Sequence, residues 1–360
     1  MNFDNFFLRS FRILLFPFAL LYGLGVTIRN YLYNKKILNS ATFNFPLICV
    51  GNLAVGGTGK SPMVEYIVDL LHHRFKVATV SRGYKRKTKG YALANNNTTY
   101  LEIGDEPMQF HIKFPDVAVA VGEERIVAIP QLLHDKPETE VIILDDAFQH
   151  RAIKPGFNIL LTECNDIFTR DFFLPTGNLR DELSSYKRAQ VIVVTKCPEN
   201  FSETEKNEVI KEIAPQKEQQ IYFTAFEYGA PYHIINHRLR PVTFQDEVLL
   251  VYGIASPDPL KQYIAEHSAA YYQQDYGDHH IFTTDDVKSI KRKFDNISSN
   301  KKLIITTEKD AVRLFKFNEQ LKELPIYVLP IRHKILFNEE NTFNETIINF
   351  VQNFKKTGSA

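Results

Sequence analysis

Apolar residues along this chain fall into two rhythms. Short runs that are apolar almost throughout occupy residues 45–50 (FPLICV), 76–81 (KVATVS), 141–146 (VIILDD), 158–162 (NILLT) and 191–196 (VIVVTK). Such runs read as strands covered on both faces. Past the first of them Met63, Val64, Ile67, Leu70 and Leu71 recur at helical spacing. Strands alternating with helices predict a parallel α/β sheet with right-handed crossovers.

The texture changes around residues 220–245. QIYFTAF and YHIINHRLRPVTF read as two extended segments with EYGAP between them, a hairpin that would link two lobes. Beyond it EVLLVYGIA (247–255), KKLIITTEKDAV (301–312) and PIYVLPI (325–331) predict the strands of a smaller α/β unit. No internal repeat is visible, and ANNNTTY and the C-terminal KKTGSA read as loop and frayed end. The expected division is an N-terminal segment 1–36, a first domain 37–219, a two-stranded linker 220–246 and a smaller domain 247–360.

Length and composition change this picture little. At 360 residues two domains are the natural expectation. A net charge of +1 gives no general reason to expect nucleic acid as a partner. Cys49, Cys164 and Cys197 are odd in number and far apart, which suits a reducing compartment rather than a disulfide framework or a zinc site.

The N-terminus stands out. Residues 13–28, ILLFPFALLYGLGVTI, carry no charge, yet a spanning helix needs roughly 20 apolar residues and Pro17, Gly23 and Gly25 interrupt this run. Arg9, Arg12, Arg29, Lys35 and Lys36 flank it, and with Asp4 as the one acid residues 1–40 carry +4. A signal peptide lacks its cleavage site here. A buried core helix and an interfacial anchor resting on anionic headgroups both stay open, with the basic flanks favouring the anchor.

The chemistry-bearing stretch is AVGGTGKS, residues 54–61, between a predicted strand and a predicted helix. That context is the one a P-loop requires, although Ala54 stands where its first glycine belongs. Val55, Gly56, Gly57, Thr58 and Gly59 would close backbone N–H groups around phosphate oxygens. Lys60 would reach the β- and γ-phosphates, and the Ser61 hydroxyl would sit on Mg²⁺. Asp145 and Asp146 end an apolar strand, where such proteins keep a magnesium-binding acid. ATP is favoured over GTP because TKCP, residues 195–198, has proline where a guanine-reading aspartate would stand.

A kinase must also orient or deprotonate the acceptor hydroxyl and neutralise the moving phosphoryl group. Asp105 and Glu106 in IGDEPMQF, and Asp278, His279 and His280 in YGDHHIF, are candidates for the first role. Arg82, Arg125 and Arg180 are candidates for the second. Residues 82–89 hold five bases in eight positions, a charge run that is either a solvated loop or a contact for an anionic substrate or lipid.

In order along the chain stand GNLAVGGTGKSP, SRGYKR, GDEP, LDDAFQHR, LPTGNLRDEL, DHHIF and TTEKDAVRL. This series resembles the tetraacyldisaccharide 4′-kinase family, the lipid A kinases of Gram-negative bacteria, from the apolar N-terminus to about residue 330. Ala147 replaces the glycine usual in the family's DDGFQH, which argues against a positive φ at that position. The resemblance implies a P-loop NTPase-like parallel-sheet domain with a second, smaller α/β domain and an N-terminal membrane-associated helix. It implies ATP and Mg²⁺, and an acceptor that is an acylated disaccharide 1-phosphate, a lipid A precursor met at the cytoplasmic face of the inner membrane. No nucleic acid and no obligate protein partner are expected.

Carried over residue by residue, Asp105 looks like the catalytic base, paired with His279, or with His280 as the fallback. Lys60 joins them in catalysis. Ser61, Asp145, Asp146 and Glu106 form the expected magnesium set, and Arg82, Arg125, Gln149, His150 and Arg180 the substrate-facing set. TTEKDAVRL is assigned to the second lobe as a structural or lobe-contact motif. A competing reading, a slow nucleotide-dependent switch at the membrane, would predict a guanine-reading motif and no dedicated base for a hydroxyl.

Overall fold

The computed structural model describes residues 12–354; Asp4, Arg9 and the C-terminal KKTGSA lie outside them. Two mixed sheets organise the α/β chain. The larger orders its strands β14-β8-β7-β6-β1-β5-β2-β4-β3. These are β1 (Leu47–Asn52), β2 (Val77–Ser81), β3 (Ala92–Leu93), β4 (Ala118–Val121), β5 (Val141–Asp145), β6 (Phe157–Glu163), β7 (Val191–Thr195), β8 (Gln220–Tyr228) and β14 (Ile331–Ile335). All pairings are parallel except at the two edges, where β3 and β14 run antiparallel to β4 and β8.

Full burial of β1, β2, β5 and β7 explains why their sequences show no alternation. On one face pack the helices α2 (Lys60–His72), α4 (Asp105–Lys113) and α11 (Glu340–Gln352), with Met63, Ile67, Phe110, Phe343 and Ile347 in one apolar cluster. On the other lie α5 (Arg125–Asp135) and α6 (Glu203–Ile213), around Ile129, Leu132, Val209 and Ile213. The four-residue α3 (Tyr100–Ile103) leads into α4.

The smaller sheet orders β11-β10-β12-β13-β9. It comprises β9 (Tyr232–His233), β10 (Glu247–Tyr252), β11 (Ala270–Asp275), β12 (Lys302–Thr307) and β13 (Ile326–Leu329). With it come α7 (Asp258–His267), α8 (Thr284–Asp295), α9 (Glu308–Leu314) and α10 (Asn318–Leu321).

Three sequence expectations change. The segments expected to pair as a hairpin do not: β8 joins the large sheet beside β7, and β9 joins the small one beside β13. Residues 301–312 are not one strand, because Thr307 accepts from the Asp310 N–H as an N-cap and starts α9. Residues 331–352, expected with the smaller unit, return to the large sheet as β14 and α11, since Phe343, Ile347 and Val351 find their apolar partners there.

The N-terminal helix α1 (Phe16–Asn34) lies against the loop that carries Arg180. Gly23 allows the close approach: a Cβ there would come 2.6 Å from the Phe173 ring. Asn30 donates to Asp181 at 2.6 Å, and the Tyr22 hydroxyl to the Arg180 carbonyl at 3.1 Å. The other side is bare, with Phe18 61% and Leu21 67% exposed beside Leu20, Leu24 and Ile28. That pattern contradicts a buried core helix. Among the described residues no helix is long and apolar enough to cross a membrane.

Candidate active site

Register places the two halves of the nucleotide site side by side. β1 and β5 are parallel neighbours with Val50 opposite Asp145, so the glycine loop and the acid pair leave the sheet at the same edge. Ligands in open α/β sheets gather at these carboxyl ends. In the loop, Gly56 and Gly59 have φ of 126° and 83°, values that favour glycine. Gly59 also caps α2, and a Cβ on it would meet His333 and Phe226 at 3.0 Å.

His333 comes from the unexpected strand β14. Its Nε2–H donates to the Gly59 carbonyl at 2.9 Å while its Nδ1 accepts from the Thr224 hydroxyl at 2.8 Å. Burial pushes its pKa down to about 4, so the ring stays neutral under the loop. The Thr58 carbonyl accepts from the Thr195 hydroxyl at 2.9 Å, a second anchor. Val55 and Gly57 are exposed at the mouth.

At the end of β5 the two aspartates differ. Asp146, at φ 48°, is gripped by Arg180 through two bonds of 2.7 and 3.1 Å, with Lys60 Nζ 4.0 Å away. The positive φ thus falls on Asp146 and not on Ala147, in keeping with the alanine. Asp145 is buried and its Oδ1 has no partner. Burial, then the charges of Glu106 and Asp146, push its carboxyl up against the pull of Lys60 and Arg125. Ser61, Glu106, Asp145 and Asp146 carry oxygen donors of the hard kind that a magnesium ion takes.

The second acid pair opens α4. The Ser61 hydroxyl donates to Glu106 Oε1 at 2.6 Å, which ties the P-loop helix to α4. Lys309, from α9, donates to the same oxygen at 2.7 Å. Asp105 Oδ2 takes His279 Nδ1 at 2.9 Å and Arg313 Nε at 2.9 Å. Burial alone would raise Asp105; His279 and Arg313 outweigh it and hold the carboxyl below the usual range. Glu106 is likewise held down against burial, chiefly by Lys309.

The geometry separates the two histidines. His280 pairs with Asp286 at 3.0 Å and stacks on Tyr276, whereas His279 reaches Asp105. Deeper between the sheets Lys113 bridges Glu65 of α2 and Glu308 of α9 at 2.5 and 2.7 Å.

The substrate-facing set divides. Arg180 stands in the site on Asp146 and on Asn52 Oδ1. Arg82 is exposed at the rim. His150 is half-buried with Nε2 unpartnered, its pKa lowered by burial and by Arg125, Arg29 and Arg82. Gln149 donates to the Asn52 carbonyl at 2.5 Å and its own carbonyl accepts from Arg29, so it braces β1 against α1. Arg125 is 3% exposed and lies behind Asp145, donating to the Gly122 and Asp145 carbonyls at 2.8 and 3.3 Å. Lys309 and Arg313, which the sequence placed only in a structural or lobe-contact motif, and His333, which it did not single out, contact Glu106, Asp105 and Gly59.

Comparisons with known proteins show the family. A family model described as tetraacyldisaccharide-1-P 4′-kinase matches residues 11–352. A tetraacyldisaccharide 4′-kinase of Flavobacterium johnsoniae is 44% identical over 342 residues, covering 95% of this chain and 97% of the relative. One of Bacteroides fragilis (strain YCH46) is 42% identical over 356 residues, covering 96% and 94%. A crystal structure of LpxK from Aquifex aeolicus in complex with ATP is 27% identical, with TM-score 0.73 over 95% of this chain and 99% of that one. The chain belongs to the tetraacyldisaccharide-1-P 4′-kinase family.

Proposed function

We propose that this chain is an ATP-dependent 4′-kinase that phosphorylates a tetraacyldisaccharide 1-phosphate, a step of lipid A biosynthesis. The observation that carries the reading is the Asp105–His279 pair at 2.9 Å, on the residue next to Glu106, which accepts from Ser61 of the P-loop helix. A nucleotide switch has no use for such a pair beside its phosphate loop.

In this reading the backbone of residues 55–59 and the α2 N-terminus cradle the phosphates, and Lys60 lies along the β- and γ-groups. Ser61, Glu106, Asp145 and Asp146 would hold Mg²⁺, which would neutralise charge on the phosphates. Asp105 accepts the proton of the 4′-hydroxyl as the sugar oxygen forms its bond to the γ-phosphorus and the bond to ADP breaks. His279 orients the carboxylate through Nδ1. Arg180 and Arg82 stand where they can meet anionic oxygens, and His150 lies among cations.

The α1 helix supports a membrane-surface enzyme. Its bare Phe18, Leu20, Leu21, Leu24 and Ile28 would enter one leaflet of the inner membrane, with Arg29, Lys35 and Lys36 on anionic headgroups. The enzyme would then be peripheral or monotopic on the cytoplasmic face, where its lipid acceptor lies. The division into a P-loop domain, a linker and a smaller domain also belongs to this reading, with the site completed where the two lobes meet.

The test is transfer of the γ-phosphate from ATP, with Mg²⁺, to tetraacyldisaccharide 1-phosphate in detergent micelles. A 4′-phosphorylated product, missing with Lys60→Ala, is the expected result. No transfer by a chain that still binds ATP would overturn the acceptor.

A further inference from the structure

The TTEKDAVRL stretch takes no part in the reaction as just described, yet its arginine touches the base. Arg313 is 1% exposed, and its guanidinium spans two carboxylates. Nε donates to Asp105 Oδ2 at 2.9 Å, and Nη1 donates to Asp310 Oδ1 at 3.1 Å and to the Gly253 carbonyl at 3.3 Å. Asp310 Oδ2 in turn accepts from the Gly253 N–H at 3.0 Å and the Thr307 hydroxyl at 2.7 Å. The same Gly253 carbonyl accepts from the backbone N–H of His279 at 3.3 Å. The arginine that grips Asp105 and the loop that delivers His279 therefore form one hydrogen-bonded unit.

The carboxylate itself is used asymmetrically. His279 and Arg313 both land on Oδ2, and among the described residues no donor reaches Oδ1. A carboxylate pinned through one oxygen cannot rotate without breaking two charge-assisted bonds, one of them to a guanidinium. Its second oxygen is left for an incoming hydroxyl.

We propose that Arg313 is a positioning residue for the phosphoryl transfer: with His279 it pins Asp105 Oδ2 and so presents Oδ1 to the acceptor hydroxyl. This rests on the reading of Asp105 as the base. The planar fork of an arginine suits the task, because Nε and Nη1 serve Asp105 and Asp310 at once in fixed directions. A lysine would carry the charge without the fork. Gly253 fits the same picture, since a Cβ there would come 3.2 Å from Asp310 Oδ1 and 3.1 Å from the Gly277 carbonyl.

The experiment compares Arg313→Gln and Arg313→Lys, each in the wild-type and the Asp105→Ala background. It uses the full chain in micelles, reading kcat, KM for ATP and for the acceptor, and thermal stability with ATP. Loss of positioning lowers kcat by roughly 10²-fold for Arg313→Gln, with KM for ATP moving less than about twofold, and Arg313→Lys regains part of the loss. In the Asp105→Ala background, Arg313→Gln costs less than about threefold more, because its target is gone.

Equal losses in both backgrounds would overturn the proposal, as would a rise in KM for ATP with kcat unchanged. If neither variant yields folded, ATP-binding protein, Arg313 is a structural ion pair and the proposal falls. An Asp105→Ala chain at wild-type kcat would overturn the base assignment itself, a result read in that single variant and separate from any failure of Arg313.

Discussion

Two acid pairs face each other across the P-loop, and they are balanced in different ways. Asp145 and Asp146 end a buried strand of the large sheet, and the partners of Asp146 are Arg180 and Lys60 of the same lobe. Asp145 Oδ1 has no partner, and its carboxyl is pushed up. Asp105 and Glu106 open a helix on that sheet, but their cations, Arg313 and Lys309, and the imidazole of His279 come from the smaller sheet's lobe. One pair draws its cations from its own lobe, and the other draws them from the lobe it meets. In the proposed reading this difference separates binding the phosphates from doing chemistry on the acceptor.

The largest way to break the comparison is at its shared cation. Lys60→Ala should lower transfer on the order of 10³-fold, since it removes the fixed charge on the moving phosphoryl group. Turnover near normal would show that the glycine loop does not hold the nucleotide. Lys309→Met sharpens the other side: with Glu106 untethered, the Mg²⁺ concentration at half-maximal rate should rise about 10- to 100-fold, the usual cost of losing a partner behind a metal ligand. An unchanged magnesium titration would detach Glu106 from the ion.

His333 tests whether the loop depends on the returning strand. The ring is neutral in the fold, with a pKa of about 4 against an ordinary 6.5, so the unfolded chain binds more protons between those values. Its contribution is therefore present above pH 6.5 and lost as pH falls toward 4, by about 3 kcal/mol in all. His333→Gln should flatten that part of the stability–pH curve. A curve as steep as that of the parent chain would assign the acid sensitivity to other groups.

The smallest effect on turnover is expected at α1. Leu21→Ser with Leu24→Ser should leave kcat in micelles within about twofold, yet reduce recovery with anionic vesicles by more than about tenfold, given roughly 1.5–3 kcal/mol for each leucine buried. Unchanged vesicle recovery would remove the bare face from the membrane.

Much of the first lobe was legible because its strands are buried on both faces and read as unbroken apolar runs, and because the glycine loop sits between strand and helix. Short β4 (AVAV) and the exposed, tyrosine-bearing β11 gave weaker patterns and were missed. The Thr307 cap was visible as T-x-x-D, but the preceding apolar run invited a longer strand. Partnership across the lobes left no local trace: Arg313 lies 208 residues from Asp105, and His333 lies 274 from Gly59. Only the fold brings such pairs together, and composition in the neighbourhood of either partner is silent about it.

The central claim is that Asp105, completed by residues of the other lobe, takes the acceptor proton. Single-turnover transfer by Asp105→Asn, with ATP, Mg²⁺ and the disaccharide acceptor all saturating, tests it most directly. The account predicts a chemical step slowed by roughly 10²–10⁴-fold with ATP affinity retained. A chemical step at the parent rate, or a loss explained wholly by weaker ATP binding, would contradict it.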